Sequence, residues 1–300
     1  MSGDARHDAP AERALGWWSI VVGTWERIRR DNLSVLAAAA AFYALTSLFP
    51  ALTALVSIYG LVADRAMVQS EVDTMAGVLP PEAFMLVAGW LKALVEGPAT
   101  NFGIGLLASL LLATWSVWSA TGMLMTAINT CYGDVECRGF VRFNLEALAL
   151  GATLAVLGAV ALALVALLPV LLAALPAPPA WRTVIILVRW PLLAGLAMLG
   201  LDIVYRYGPA RVAGSWQWIS WGAVVATVLW LLGSVGFTEY VARIGSYDRT
   251  YGSLGAVIVL LLWFFMSAYV ILIGAELNGE MERLQAGRRL SLAEERAADG

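Results

Sequence analysis

Apolar runs too long for a soluble fold to hide recur along the whole sequence, at about 33–63, 102–129, 143–175, 183–205, 215–241 and 252–277. Each meets the ~20 residues that a helix needs to cross the hydrocarbon core of a bilayer. Several exceed that length, which implies tilt or extension beyond the lipid. Backbone polar groups find no partner in hydrocarbon, so such segments must be helical. Composition agrees: 60% of the 300 residues are hydrophobic and only 14% charged, where soluble chains carry about a quarter. No polar stretch between the runs is long enough to form a soluble domain. The fold class is therefore all-α: a polytopic membrane helix bundle of about six transmembrane helices, with interfacial helices at the N-terminus and in an outer loop.

The flanks divide the chain into a tail and interfacial helix over 1–32, a membrane domain over 33–283 and a second tail over 284–300. In the first part Trp18, Val21, Val22, Trp25 and Ile28 recur at helical spacing, interleaved with Glu26, Arg27, Arg29 and Arg30. Tryptophan and arginine favour the headgroup layer, so Trp18, Trp25, Arg27, Arg29 and Arg30 form a candidate membrane surface. The alternative is a helix packed on the cytoplasmic side of the bundle. A further apolar piece at 83–95 lies between Pro80, Pro81 and Gly97, Pro98. Its length of about 13 residues is too short to span, which predicts an interfacial or re-entrant helix. The N-terminus lacks the pattern of a cleaved signal peptide, so the first span is expected to be an uncleaved anchor.

Lysine and arginine set the orientation. Thirteen of them fall on the side of the termini, in 1–32, at Arg138, Arg142, Arg206 and Arg211, and after Glu282; five fall opposite, at Arg65, Lys92, Arg182, Arg243 and Arg249. The excess places both termini in the cytoplasm. Cys131 and Cys137, the only cysteines, then sit on a cytoplasmic loop, at a spacing that matches no common zinc or redox motif. They are expected to be free thiols.

The net charge of −3 offers no basic field for nucleic acid. His7, in the polar tail, is the only histidine, and neither an acid/base constellation nor a phosphate loop is present. The expectation is a protein that is not an enzyme and holds no cofactor or metal. Charges near the spans are better leads, since burying one costs at least ~2.5 kcal/mol. Arg142 and Glu146, Asp202 and Arg206, and Glu239 and Arg243 are each four apart and share a helix face. Glu276 and Glu280 also share a face but repel. Arg283 is placed to help Glu280, leaving Glu276 either solvated or at the polar entrance to a cavity. In the first span Ala37 to Ala41 permit close packing, and Tyr43, Thr46 and Ser47 precede Pro50, whose missing donor the hydroxyls can offset. Tight packing around a kink and a broken helix beside a transport pathway are both open. Arg189 lies inside the fourth span, before Trp190 and Pro191. It either snorkels outward, pairs with Glu239, or faces a polar cavity that receives an anionic group. Arg189, Glu239, Glu276, Tyr43, Ser47 and Pro50 are the candidate substrate cavity.

Three groups of residues resemble the YihY/BrkB family of inner-membrane proteins. They are the alanine-rich first span ending in Phe42, Tyr43, Ser47, Leu48, Phe49 and Pro50; Tyr205 to Pro209 with Gly222, Ala223 and Trp230; and the final stretch with Tyr247, Tyr251, Gly252, Leu254, Gly255, Trp263, Ser267, Gly274, Ala275, Glu276, Leu277 and Asn278. The likeness runs from about 17 to 283. It implies six helices in the bacterial inner membrane with both ends inside. The family has carried a ribonuclease name now considered mistaken, a virulence-factor name, and a proposed role in transport or lipid handling. On the residues above, the ribonuclease reading fails for want of a catalytic or RNA-binding cluster. The resemblance implies a transporter or lipid-translocating protein without its own ATPase, whose partners are membrane lipids and whose substrate is an anionic lipid or another amphipathic molecule. The alternative is a non-catalytic membrane scaffold or envelope interaction protein.

Overall fold

The computed structural model describes residues 9–62, 99–174, 179–210, 220–243 and 253–298. The segment at 83–95 lies outside them. Seven helices are seen among the described residues, and no strand: α1 Ala9–Arg30, α2 Leu33–Val62, α3 Ala99–Tyr132, α4 Phe140–Ala174, α5 Pro179–Tyr207, α6 Trp221–Arg243 and α7 Ser253–Ala298. Five carry a stretch long and apolar enough to cross a membrane: Leu110–Tyr132, Phe140–Val165, Leu187–Tyr207, Trp221–Val241 and Val257–Gly287. The pair Trp18–Arg30 and Leu33–Leu48, bent by 65° at the break between them, supplies a sixth candidate. The all-α membrane bundle expected from the sequence is what forms. On α4, α5 and α6 large apolar side chains point outward, among them Val156, Leu162, Leu187, Leu192, Leu232 and Val235. That surface suits lipid and not water.

The bend after α1 has a local cause. Asp31 N closes the last turn onto Arg27 O at 2.8 Å. Asn32 then takes a left-handed backbone, with φ of 51°, which asparagine tolerates better than most residues. Its carbonyl accepts Val35 N at 2.8 Å, so α2 starts in a new direction.

The chain forms two compact units, Met1–Phe42 with Thr121–Gly300, and Tyr43–Ala120. In the first, α7 packs on α6 and α1, α5 packs on α6, and α4 packs on α5. Small residues make the α6/α7 approach close. A Cβ at Gly222 would collide with Gly274 O and lie 2.6 Å from Asn278 Cγ, and one at Gly274 would lie 2.6 Å from Gly222 O. Ala223, Ala226 and Ala275 beside them are fully buried. Polar bonds tie the same helices: Tyr205 Oη donates to Ile271 O at 2.7 Å, Gly222 N to Asn278 Oδ1 at 2.8 Å, and Trp230 Nε1 to Ser267 Oγ at 3.0 Å. Trp230 also meets Trp263 edge-on. Of the residues that carry the family likeness, Tyr205, Gly222, Trp230, Ser267, Gly274 and Asn278 are thus contacts that seat α7 on α5 and α6. At 46 residues, α7 measures ~69 Å and must project beyond a ~30 Å hydrocarbon core.

In the second unit Pro50 lies inside α2. Thr46 Oγ1 bonds Tyr43 O at 3.1 Å and Ser47 Oγ bonds Ala44 O at 2.8 Å. Neither of these two bonds is to the carbonyl of Thr46, the one four residues before the proline. A side-chain hydroxyl reaches back only three or four positions. One serving Thr46 O would need to sit at 49 or 50, where the sequence has Phe49 and Pro50.

Candidate functional site

Polar groups of the first unit gather at one end, where α1, the turn between α3 and α4, the end of α5, the start of α6 and the second half of α7 meet. Two clusters lie there. The first joins α1, α3 and α7. Arg27 Nε donates to Glu280 Oε2 at 2.6 Å, and Arg283 Nη1 stands 3.6 Å from the same oxygen. Arg283 Nη2 donates to Cys131 O at 3.0 Å. Gly279 lets α7 approach the end of α3, where a Cβ would lie 2.9 Å from Cys131 O.

Glu276, one turn before Glu280, is 0% exposed. Solvation, the bland expectation, does not account for it. Neither of its oxygens receives a hydrogen bond of good geometry. The Cys131 thiol lies against it, and Arg27, Asp31 and Arg283 act on it through their charges. A carboxyl so placed must be neutral, or be met by a cation or a donor.

The second cluster holds the α3–α4 turn. Arg138 grips Glu136 with two parallel bonds, Nε to Oε1 and Nη2 to Oε2, both at 2.8 Å. The same guanidinium donates to Glu146 Oε2 at 2.8 Å and Gly208 O at 2.9 Å. Arg142 Nε takes the other oxygen of Glu146 at 2.8 Å, the helix-face pair expected from their spacing. Asn129 bridges outward: Nδ2 donates to Glu136 Oε2 and Oδ1 accepts Ala210 N, each at 2.7 Å. Hydrogen bonds from Arg138 pull the Glu136 carboxyl down to about 2, and the same bonds hold the Arg138 guanidinium above its usual value. This cluster is fully engaged and fastens α3, α4 and α5 to one another. Asp202 plays a like part between α5 and α6, accepting Ser220 N at 3.0 Å and Ser220 Oγ at 2.7 Å.

Within the first unit, Arg189 and Glu239 have separate partners. Arg189 Nη1 donates to Val165 O at 3.4 Å on α4, and its guanidinium lies 5.5 Å from the centre of the Trp190 ring. Glu239 instead takes Arg243 Nε at 2.6 Å on an exposed face. Tyr43, Ser47 and Pro50 belong to the second unit. On α1, Trp18, Val21 and Trp25 are well exposed, and Arg29 and Arg30 with them. Arg27 turns inward to Glu280, because α1 packs on α7 along that side.

Cys131, Asn129, Arg138 and Asp31 escaped the sequence reading as site residues. No helical periodicity marks them, and contacts such as Asn129 with Ala210, Arg138 with Gly208 and Cys131 with Arg283 join residues distant in the chain. Both thiols are free, but Cys131 occupies the last turn of α3 and is 0% exposed, whereas Cys137 is exposed on the turn. A maleimide added to the purified protein in detergent is therefore expected to label Cys137 rapidly and Cys131 only on unfolding. Equal rates for Cys131→Ser and Cys137→Ser proteins would contradict this burial.

Residues 24–299 match the family model described as virulence factor BrkB. The chain belongs to that family. Among its relatives are a putative ribonuclease-like protein, YfkH, of Bacillus subtilis (strain 168), 27% identical over 81% of this chain and 88% of that protein, and a UPF0761 membrane protein of Tolumonas auensis, 27% identical over 89% and 86%. A UPF0761 membrane protein of Vibrio cholerae is 33% identical over a shorter stretch, 22% of each chain. No solved structure matches. Family and helices together make this BrkB-family chain an integral, multi-pass membrane protein.

Proposed function

We propose that this BrkB-family protein moves a lipid or another anionic, amphipathic molecule across the bacterial inner membrane, with both termini in the cytoplasm and no ATPase of its own. The observation that carries the reading is Glu276: a carboxyl fully buried midway along α7, with the Cys131 thiol against it and no hydrogen bond of good geometry to either oxygen. A purely structural bundle gains nothing from such a group, which costs several kcal/mol if charged. Transport would run down a gradient of substrate or be driven by an ion or a partner. In this reading Arg189, half-buried on α5 beside Trp190, receives a lipid phosphate, for which its donor fork is suited.

A membrane scaffold or envelope interaction protein is the second reading, and the Arg138 cluster favours it, being satisfied and purely fastening. The ribonuclease-like name of the Bacillus relative is not carried over: we read this chain as not an enzyme, since its polar clusters lack a histidine and its charge offers RNA no basic face.

Fluorescent phosphatidylglycerol and phosphatidylethanolamine in proteoliposomes, scored by dithionite quenching, test the proposal. Translocation above that of empty vesicles is expected. Arg189→Ala should slow the anionic lipid about tenfold, the loss of one charged hydrogen bond, with Arg189→Lys recovering part of the rate. Vesicles no faster than lipid alone would leave the scaffold reading.

A further inference from the structure

Glu276 differs from its neighbours Arg27, Asp31, Glu280 and Arg283 in that each of them is in an ion pair, whereas both of its own buried oxygens lack a hydrogen bond. Around it, α1 and the turn after it bring Arg27 and Asp31; α3 brings Cys131 and, next to it, Tyr132; α7 itself brings Glu280 and Arg283. From α5 comes Tyr205, whose hydroxyl is committed to Ile271 O. The described titratable groups of α6, Glu239, Tyr240 and Arg243, lie at its opposite end. Arg30, on the exposed side, holds Asp31 at 3.4 Å, and Arg27 and Arg283 both stand at Glu280, so Glu276 is the carboxyl of the group with no guanidinium in ion-pair contact. A metal cation would need several oxygen ligands, and no group of three or more His, Cys, Asp or Glu residues able to hold one is seen among the described residues. A proton needs none.

We propose that Glu276 is an exchangeable proton site, and that Arg283 is its switch. In the arrangement seen, Glu276 carries the proton and Arg283 belongs to Glu280. The Nη1 atom of Arg283 is buried and lacks a hydrogen bond of its own, standing 3.6 Å from Glu280. It is therefore a guanidinium donor in reserve, seven residues along the same face of α7 from Glu276. On release, the O–H bond of Glu276 breaks, its electron pair stays on the carboxylate, and the proton passes to water. Arg283 then moves to the new charge, Arg27 alone holds Glu280, and the hold of Arg283 on Cys131 O weakens. Proton release is thereby coupled to the packing of α7 against the end of α3. Under the transport reading, on which this coupling role rests, that is the link between a proton gradient and helix movement.

The test is pH-difference infrared spectroscopy of the full-length protein in lipid nanodiscs, with and without ¹³C-glutamate labelling. A pH-dependent carbonyl band of a protonated, label-sensitive carboxyl is expected, lost in Glu276→Gln. In Arg283→Gln the band should persist to about one pH unit higher, because a nearby positive charge favouring ionisation is gone. Absence of the band in the wild-type protein, or its survival in Glu276→Gln, overturns the proposal. Should Glu276→Gln fail to fold, Arg283→Gln decides, and an unmoved band is the overturning result. The measurement needs no substrate, so a band present in a protein that moves no lipid would sink the transport reading and leave the proton site standing.

Discussion

Replacing Arg138 by alanine is expected to lower the stability of the protein by about 3 kcal/mol, the range for breaking a buried ion pair from one side. The side chain is 5% exposed and ties Glu136, Glu146 and Gly208 O together. Its removal leaves the Glu146 carboxylate to Arg142 alone and strips two of the donors from Glu136. The end of α5 would separate from the α3–α4 turn. Arg138→Lys should recover only a fraction, because an ammonium cannot make the two parallel bonds to Glu136. Reversible unfolding in mixed micelles measures the loss, and a variant as stable as the parent would show that the turn is held by other contacts. The acid limb of the same experiment has a defined sign. Glu136 is depressed from 4.5 to about 2, so its contribution is complete above the ordinary carboxylate range and is lost as pH falls through that range toward about 2. In Arg138→Ala that dependence should largely vanish.

The second large effect is expected at Gly222, where even alanine should cost about 3 kcal/mol, the upper end for overpacking a close contact. The new methyl group would enter the backbone of α7 at Gly274 and the amide of Asn278. Backbone cannot swing aside as a side-chain tip can, so α6 and α7 must part, and the bond from Gly222 N to Asn278 Oδ1 goes with them. Gly158, on α4, is the control: a Cβ there meets nothing within 4 Å. Gly158→Ala should leave stability unchanged or raise it slightly, since it removes only chain entropy from the unfolded state. Thermal unfolding by tryptophan fluorescence compares the two, and equal midpoints would show that the α6/α7 approach is looser than its geometry.

Helix class and membrane placement were legible in the sequence because they are properties of each segment alone. A run of ~20 apolar residues must be helical in lipid whatever its neighbours are. The near-neighbour pairs Arg142–Glu146 and Glu239–Arg243 were legible for the same reason, since a spacing of four fixes a shared face. The likeness of Gly222, Gly274 and Asn278 to a family pattern marked them without saying what they touch. Tertiary structure alone decided that they touch one another. It also turned Arg27 from the lipid side to Glu280, moved Cys131 from a solvent-facing loop to a buried helix end, and left Arg189 and Glu239 with separate partners. It placed Glu276, Cys131, Arg27 and Arg283, which lie up to 256 positions apart in the numbering, around one buried carboxyl. No local pattern encodes such a meeting, because in an apolar environment all faces of a helix look alike to hydropathy. Which face is buried depends on where small residues let a neighbouring backbone come close.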